Sequence, residues 1–412
     1  MPPRPAEPTV PPPTAVDPYP SYHQLRETGA VHVVQEPTGL RRYTVAHYRH
    51  ARDLLADDRI SKDPRNAWAQ LRQAGYLTGD PETDQYIFHI ANCDPPDHTR
   101  LRRLVQMAFT TRQVERLRPG AQELADDLLD RAGGAVVDLV GAYALPLAMT
   151  VTAGLLGVPR GGFDDYRVWA TAMLLPPGTP DPPMSRPEAY RRTREFFADL
   201  LVRRRAALEA GERPADLLSA LIAARDGADR LTEEEMVALV IFMLNTGQEP
   251  TVNLIGNATL ALLDQPDQLD LLRRRPDLLP TAIDEFLRFD APVASSSLRI
   301  AREDIPVGDT VIPRGGIVSI LFGAANRDPA RYADPDRLDV TRQDSSHLAF
   351  GHGIHRCVGA PLGRMVAEVA LGTLLRRHPG LRLACAAHEL RWRPTRVTRG
   401  VEALPVRLDA RG

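Results

Sequence analysis

The sequence predicts a mainly α-helical protein with small β-sheets, an α+β arrangement. Three observations predict it. Apolar residues recur at helical spacing over Arg112 to Arg131, Glu188 to Glu209, Thr232 to Leu263 and Thr281 to Asp290. Extended, turn-punctuated segments occur only before and after that helical middle. No internal repeat or linker divides the 412 residues, so one large unit is expected.

The elements follow in chain order. Residues 1–17 are proline-rich and lack the apolar core of a signal peptide, which predicts an extended or disordered lead-in before a single folded unit over 18–412. "GAVHVVQ" and "RRYTVAHY" read as strands. Leu139 to Val158 carries no charge, but Gly141, Pro146, Gly154 and Gly157 punctuate it, predicting a buried helix pair rather than a membrane span. In "RLTEEEM" Thr232 can cap a helix while Glu235 completes a capping box. The apolar run that follows contains Asn245, Gln248, Glu249, Asn253 and Asn257, which lipid would penalise; it reads as a long helix through a protein core, with no membrane anchor. "SLRIAREDIPVGDTVIPRGGIVSILFG" gives short strands around turns at Gly308-Asp309 and Pro313 to Gly316. The spacing of Leu362, Val366, Ala370 and Leu374 predicts a helix over Val358 to Arg376.

The formal charge of -2, with both signs mixed along the chain, gives no sign of a nucleic-acid or polybasic membrane partner. Cys93, Cys357 and Cys385 are odd in number and far apart, which argues against a disulfide framework and for a reducing, cytoplasmic setting.

Cys357 carries the chemistry. Free cysteines are usually small buried hydrophobes. This one precedes a helix, whose unpaired N–H groups favour a thiolate, and Gly351, Gly353 and Gly359 let backbone or a flat partner approach. A thiolate so placed is a nucleophile or a metal ligand. A cysteine hydrolase needs a base and an orienter, for which only His352 and His355 lie near. Zinc needs more thiolates or spaced histidines. An axial ligand to haem iron needs one sulfur, which donates density favouring O–O cleavage.

"FGHGIHRCVG" resembles the haem-binding loop of the cytochrome P450 family, Phe-Gly-x-Gly-x-x-x-Cys-x-Gly, filled by Phe350, Gly351, Gly353, Cys357 and Gly359. Further segments match in family order. Glu285 and Arg288 in "EFLR", with Arg337 in "DPDRLD", resemble the family's Glu-Arg-Arg structural network. "DPPDHTRLRR" puts His98 and Arg102 at i and i+4 on one helix face, and Arg299 lies in "SSSLRIA". The resemblance implies a P450 fold of the soluble bacterial, actinobacterial-type class, with haem b (iron protoporphyrin IX) between the long helix and the cysteine loop. It implies Cys357 as the iron ligand, Phe350 and Gly351 beside it, and His98, Arg102, Arg299 and His355 as propionate partners. Electrons would come from NAD(P)H through a ferredoxin reductase and a ferredoxin, docking near Arg103, Arg112, Arg356 and Arg364.

One departure stands out. Where the family's central helix usually reads Ala-Gly-x-Glu/Asp-Thr-Thr, this chain has "NTGQEPT": Gly247 and Glu249 match, but Pro250 replaces the first threonine. A mid-helix proline removes an N–H, so the helix is expected to kink or open near Thr246 to Gly247. Proton delivery would then pass through Thr251, Gln248, Glu249, ordered water or the substrate, with Thr246 and Pro250 shaping the turn. The expected outcome is hydroxylation of a natural-product small molecule; the alternative is oxidative C–C, C–N or C–O coupling of an aromatic, peptide-derived substrate without oxygen insertion.

The resemblance also places substrate contacts: Asp63 to Asn92, with Trp68, Tyr76, Tyr86 and Phe88; the proline-rich lid within Trp169 to Tyr190; Leu239 and Met243 on the long helix; Val293, Ser295 and Ser296 in "PVASSSLRI"; and Thr398 in a C-terminal turn. The serines suggest a substrate with hydrogen-bonding groups, such as a peptide-derived or polyketide natural product.

Overall fold

The computed structural model describes residues 16–36, 38–77, 79, 84, 87–158, 162–174, 182–212, 216–224, 229–344, 346–395 and 397–408. Most of the proline-rich start, Tyr86, Arg396 and residues 175–181 of the expected lid lie outside them. Helices dominate: α1 Tyr19–Thr28, α2 Tyr48–Leu55, α3 Trp68–Gln73, α4 Asp97–Ala108, α5 Thr111–Arg131, α6 Leu145–Leu156, α7 Phe163–Leu174, α8 Arg186–Glu209, α9 Leu217–Ala223, α10 Glu233–Asp264, α11 Pro266–Arg274, α12 Leu279–Phe289, α13 Phe322–Ala325 and α14 Ala360–Arg377. The strands are β1 His32–Gln35, β2 Arg41–Val45, β3 Ile60–Ser61, β4 Val137–Asp138, β5 Arg299–Ala301, β6 Ile305–Val307, β7 Thr310–Ile312, β8 Ile317–Ile320, β9 Arg382–Leu383 and β10 Pro405–Arg407. The helical expectation and the short strands both hold.

One sheet runs β1-β2-β8-β5-β3, with β2 and β8 parallel and the other neighbours antiparallel. Ser61 pairs with Ile300, so the next step of that register sets Lys62 beside Arg299. Two smaller sheets run β4-β10-β9 and β6-β7.

The main core gathers around α10: its Leu244, Val252 and Ile255 pack with Leu147 and Leu156 of α6 and with Leu371 and Leu374 of α14. Thr232 and Glu235 form the expected capping box at its start, at 3.2 and 2.9 Å. Of the expected kink or opening near Thr246 to Gly247, the opening does not occur: α10 stays helical from Glu233 to Asp264. The stretch after the proline is wholly buried, from Thr251 to Thr259, and the helix lies so close to α6 that a Cβ on Gly247 would stand 3.1 Å from Thr152. Packing on both sides thus holds a conformation that the local sequence disfavours. The expected helix pair over Leu139 to Val158 is also different: a π-helical turn at Val140–Ala144 runs directly into α6.

No helix among the described residues is long and apolar enough to cross a membrane.

Candidate functional site

The cysteine loop is shaped by two left-handed glycines, Gly351 at φ 71° and Gly353 at φ 73°. A side chain at Gly353 is excluded twice, because its Cβ would also meet the Leu55 carbonyl at 2.5 Å. The turn is tied by Gly351 N–H to Leu348 O at 2.8 Å and by Cys357 N–H to Phe350 O at 2.8 Å. Cys357 is accessible, and α14 begins three residues later. Although the residue as a whole is accessible, the protein packed round its sulfur pushes the thiol up, while the Gly359 and Ala360 N–H groups and the Arg102 and Arg356 guanidiniums draw it down. The positive helix end expected from sequence is present, but on its own it does not outweigh desolvation. Phe350 lies under Arg364 at 4.6 Å, and a Cβ on Gly363 would touch both the Phe350 ring and the Thr251 hydroxyl, so the loop and α10 meet there.

Around this sulfur stands a cluster of basic side chains. Arg299 is 5% exposed, its Nε has no hydrogen-bond partner, and burial alone lowers its guanidinium to about 10. Burial likewise lowers Arg102. The His98 and His355 rings lie 4.1 Å apart. Burial, then His98, Lys62, Arg299 and Arg102, lowers His355 to about 2. Neither Arg102 nor Arg299 has an ion-pair partner among the described residues. Lys62 was not anticipated from the sequence: it is 3% exposed, donates to Ser297 Oγ at 2.6 Å and Leu298 O at 2.9 Å, and burial followed by Arg299 pulls its ammonium well below the ordinary lysine range. Buried cations without carboxylates are costly unless an anion joins them. The donor set therefore fits a group that carries carboxylates and a metal accepting one thiolate, as haem does.

On the far side, α10 exposes Thr246, whose hydroxyl donates to Phe242 O at 2.7 Å, between half-buried Asn245 and Gly247. Thr251 donates to Gly247 O at 3.0 Å. Glu249 accepts from Thr398 Oγ1 at 2.7 Å. Gln248 is half-buried.

The structural network needs a correction. Arg288 binds Glu285 through Nε at 2.6 Å and a terminal nitrogen at 2.9 Å, and both side chains are fully buried. Arg337, however, is exposed and offers only its carbonyl, to Arg288 at 3.2 Å. The second guanidinium comes from Arg342, 3.2 Å from Glu285. The Asp334–Arg337 turn places the Arg337 backbone inward, leaving its side chain in solvent.

The expected substrate contacts sort differently. Trp68 and Phe88 stack on each other at 6.0 Å, and the Tyr76 hydroxyl joins Glu36 and Arg42. From that segment His89 reaches α10, stacking on Phe242 at 4.1 Å. Leu239 is packed in the main core rather than on the open face, whereas Met243 is half-buried beside Phe242. Ser296 is buried, and its Oγ accepts the Ile320 N–H at 3.1 Å, which ties the side chain to the sheet. Ser295 is buried, with its N–H on Val397 O at 3.2 Å. Val293 bridges to Thr398, which brings these two segments and Glu249 together. Of the proposed docking arginines, Arg112 and Arg356 are exposed, while Arg364 is paired with Asp284 at 2.7 Å.

A family model described as Cytochrome P450 matches residues 184–379. The chain is 43% identical over 410 residues to cytochrome P450 107B1 of Saccharopolyspora erythraea, covering 96% of each. It is 41% identical to 6-deoxyerythronolide B hydroxylase of the same organism, again covering 96% of each. Among solved structures, the tirandamycin C-bound P450 monooxygenase TamI superposes with a TM-score of 0.84 at 40% identity, covering 95% of this chain and 98% of that one.

Proposed function

The chain belongs to the cytochrome P450 family and is a monooxygenase-type oxidoreductase, and from that premise we propose that it hydroxylates a polyketide-type secondary metabolite in the cytoplasm. Membership brings a haem cofactor and electrons from a redox partner. The finer assignments are haem b as the cofactor, a single haem-binding unit over 18–412, and NAD(P)H acting through a ferredoxin reductase and a ferredoxin.

The observation that carries the reading is the buried, unpaired Arg299 beside Arg102, His98 and His355, on the same side as the accessible Cys357. Cys357 would hold the iron, and the basic cluster would hold the two propionates; when bound, the group supplies activation of dioxygen. The protein's own share is positional. Phe350 and the Gly351 and Gly353 turn fix the sulfur, α10 offers the open Thr246 face, and the Val293 and Thr398 segments border Glu249, a carboxylate that can pass a proton. A relative named as a hydroxylase, 6-deoxyerythronolide B hydroxylase, supports insertion of oxygen and weighs against the coupling alternative.

The test is turnover of a panel of macrolactones and linear polyketides under oxygen-18 gas, with product mass spectrometry. A product gaining one labelled oxygen supports hydroxylation; loss of two hydrogens without label overturns it.

A further inference from the structure

We propose that Thr395 and Thr398 form a two-hydroxyl proton inlet from solvent to Glu249, replacing the delivery that a hydroxyl at position 250 would give. This rests on the monooxygenase reading above.

Three features carry it. Thr398 Oγ1 donates to Glu249 Oε1 at 2.7 Å, and Thr395 Oγ1 lies 2.6 Å from Thr398 Oγ1. Thr395 is exposed, whereas Thr398 and Glu249 are half-buried, so the chain of three oxygens runs from the surface inward. The turn that carries the two threonines is clamped on both sides. Toward the sheet, Ala294 N–H bonds Val397 O at 2.8 Å and Val293 bridges Thr398. Toward α10, Asn257 donates to Arg399 O at 3.0 Å, and a Cβ on Gly400 would collide with Asn253. Glu249, Asn253 and Asn257 stand at i, i+4 and i+8, so a single polar stripe of α10 faces this turn.

The transfer balances without electrons. Thr398 gives its hydroxyl proton to Glu249 and takes one from Thr395; Thr395 takes one from a solvent acid. The net result is one proton moved onto Glu249, one residue before Pro250. Both bonds are within the range for O–H···O contacts that pass protons. Thr395 Oγ1 also ties the turn, accepting the Thr398 N–H at 3.1 Å and lying 2.7 Å from Thr398 O; the Thr398 hydroxyl has no such anchoring role, since its partners are Thr395 Oγ1 and Glu249.

The experiment compares Thr398→Val, Thr398→Ser and Thr395→Val in the haem-loaded enzyme with its electron donor. Thr398→Val is expected to lower product formed per electron pair several-fold, raise peroxide correspondingly and enlarge the solvent deuterium isotope effect. Thr398→Ser should restore wild-type coupling, and Thr395→Val should fall between. In the resting protein, Thr398→Val should shift the infrared carboxylate band that Glu249→Gln removes. Weakened substrate affinity with unchanged coupling, or an unmoved band, overturns the inlet. Wild-type enzyme that makes no oxygenated product fails the monooxygenase reading instead, while the infrared result still decides the hydrogen bond.

Discussion

Arg342 Nε lies 3.2 Å from Glu285 Oε2, on a carboxylate that Arg288 already grips at 2.6 and 2.9 Å. A third donor, the Asp339 N–H, reaches the same carboxylate at 2.9 Å. Glu285 thereby ties α12 to the irregular segment that leads into the cysteine loop. Breaking a buried pair by removing one partner costs about 3–5 kcal/mol. Glu285→Ala is expected to destabilise by that order in a denaturant melt. Arg342→Ala should cost less, and Arg337→Ala should stay within about 0.5 kcal/mol because its side chain is exposed.

Arg299 predicts a change of sign. In haem-free protein its buried guanidinium lacks an anion, so Arg299→Met should leave thermal stability unchanged or raise it. With haem the same substitution removes a charged hydrogen bond of about 1.5–3 kcal/mol, which lowers haem affinity roughly 10- to 100-fold. Haem titration and melts of both forms check the two halves.

Pro250 withholds an N–H from the turn before it, and only packing keeps α10 intact there. Pro250→Ala should therefore stabilise the fold, by up to about 3 kcal/mol. Pro250→Thr, which also adds a hydroxyl, should change the ratio of product to peroxide; an unaltered ratio would remove position 250 from proton delivery.

His89 gives a pH dependence. Burial against Phe242, and then Lys62, lowers its imidazole to about 3. An unfolded histidine titrates near 6.5, so above roughly that pH both states are neutral and the residue adds no slope. As pH falls from there toward 3, the unfolded chain takes up a proton that the folded chain refuses, and stability drops by at most about 1.4 kcal/mol per unit. His89→Phe should flatten this part of the stability profile, measured by denaturant melts between those limits.

Local signals explain what the sequence made legible. The capping box at Thr232, the glycines round Cys357 and the i, i+4 pair His98 and Arg102 act within a few residues, and each takes its expected place. Arg342 meets Glu285 across 57 positions, Thr398 meets Glu249 across 149, and Lys62 meets Leu298 across 236. Those contacts depend on register and packing, which no short pattern encodes. Pro250 does not open α10 for the same reason: its local penalty is real, but the buried stretch from Thr251 to Thr259 holds the helix.

The most direct measurement is the absorption spectrum of the reduced, haem-replete protein under carbon monoxide. Ligation through Cys357 predicts the red-shifted Soret band of a thiolate-bound haem, lost in Cys357→His while some haem is retained. An unshifted band in the wild-type protein, or a shifted band that survives Cys357→His, would contradict the account.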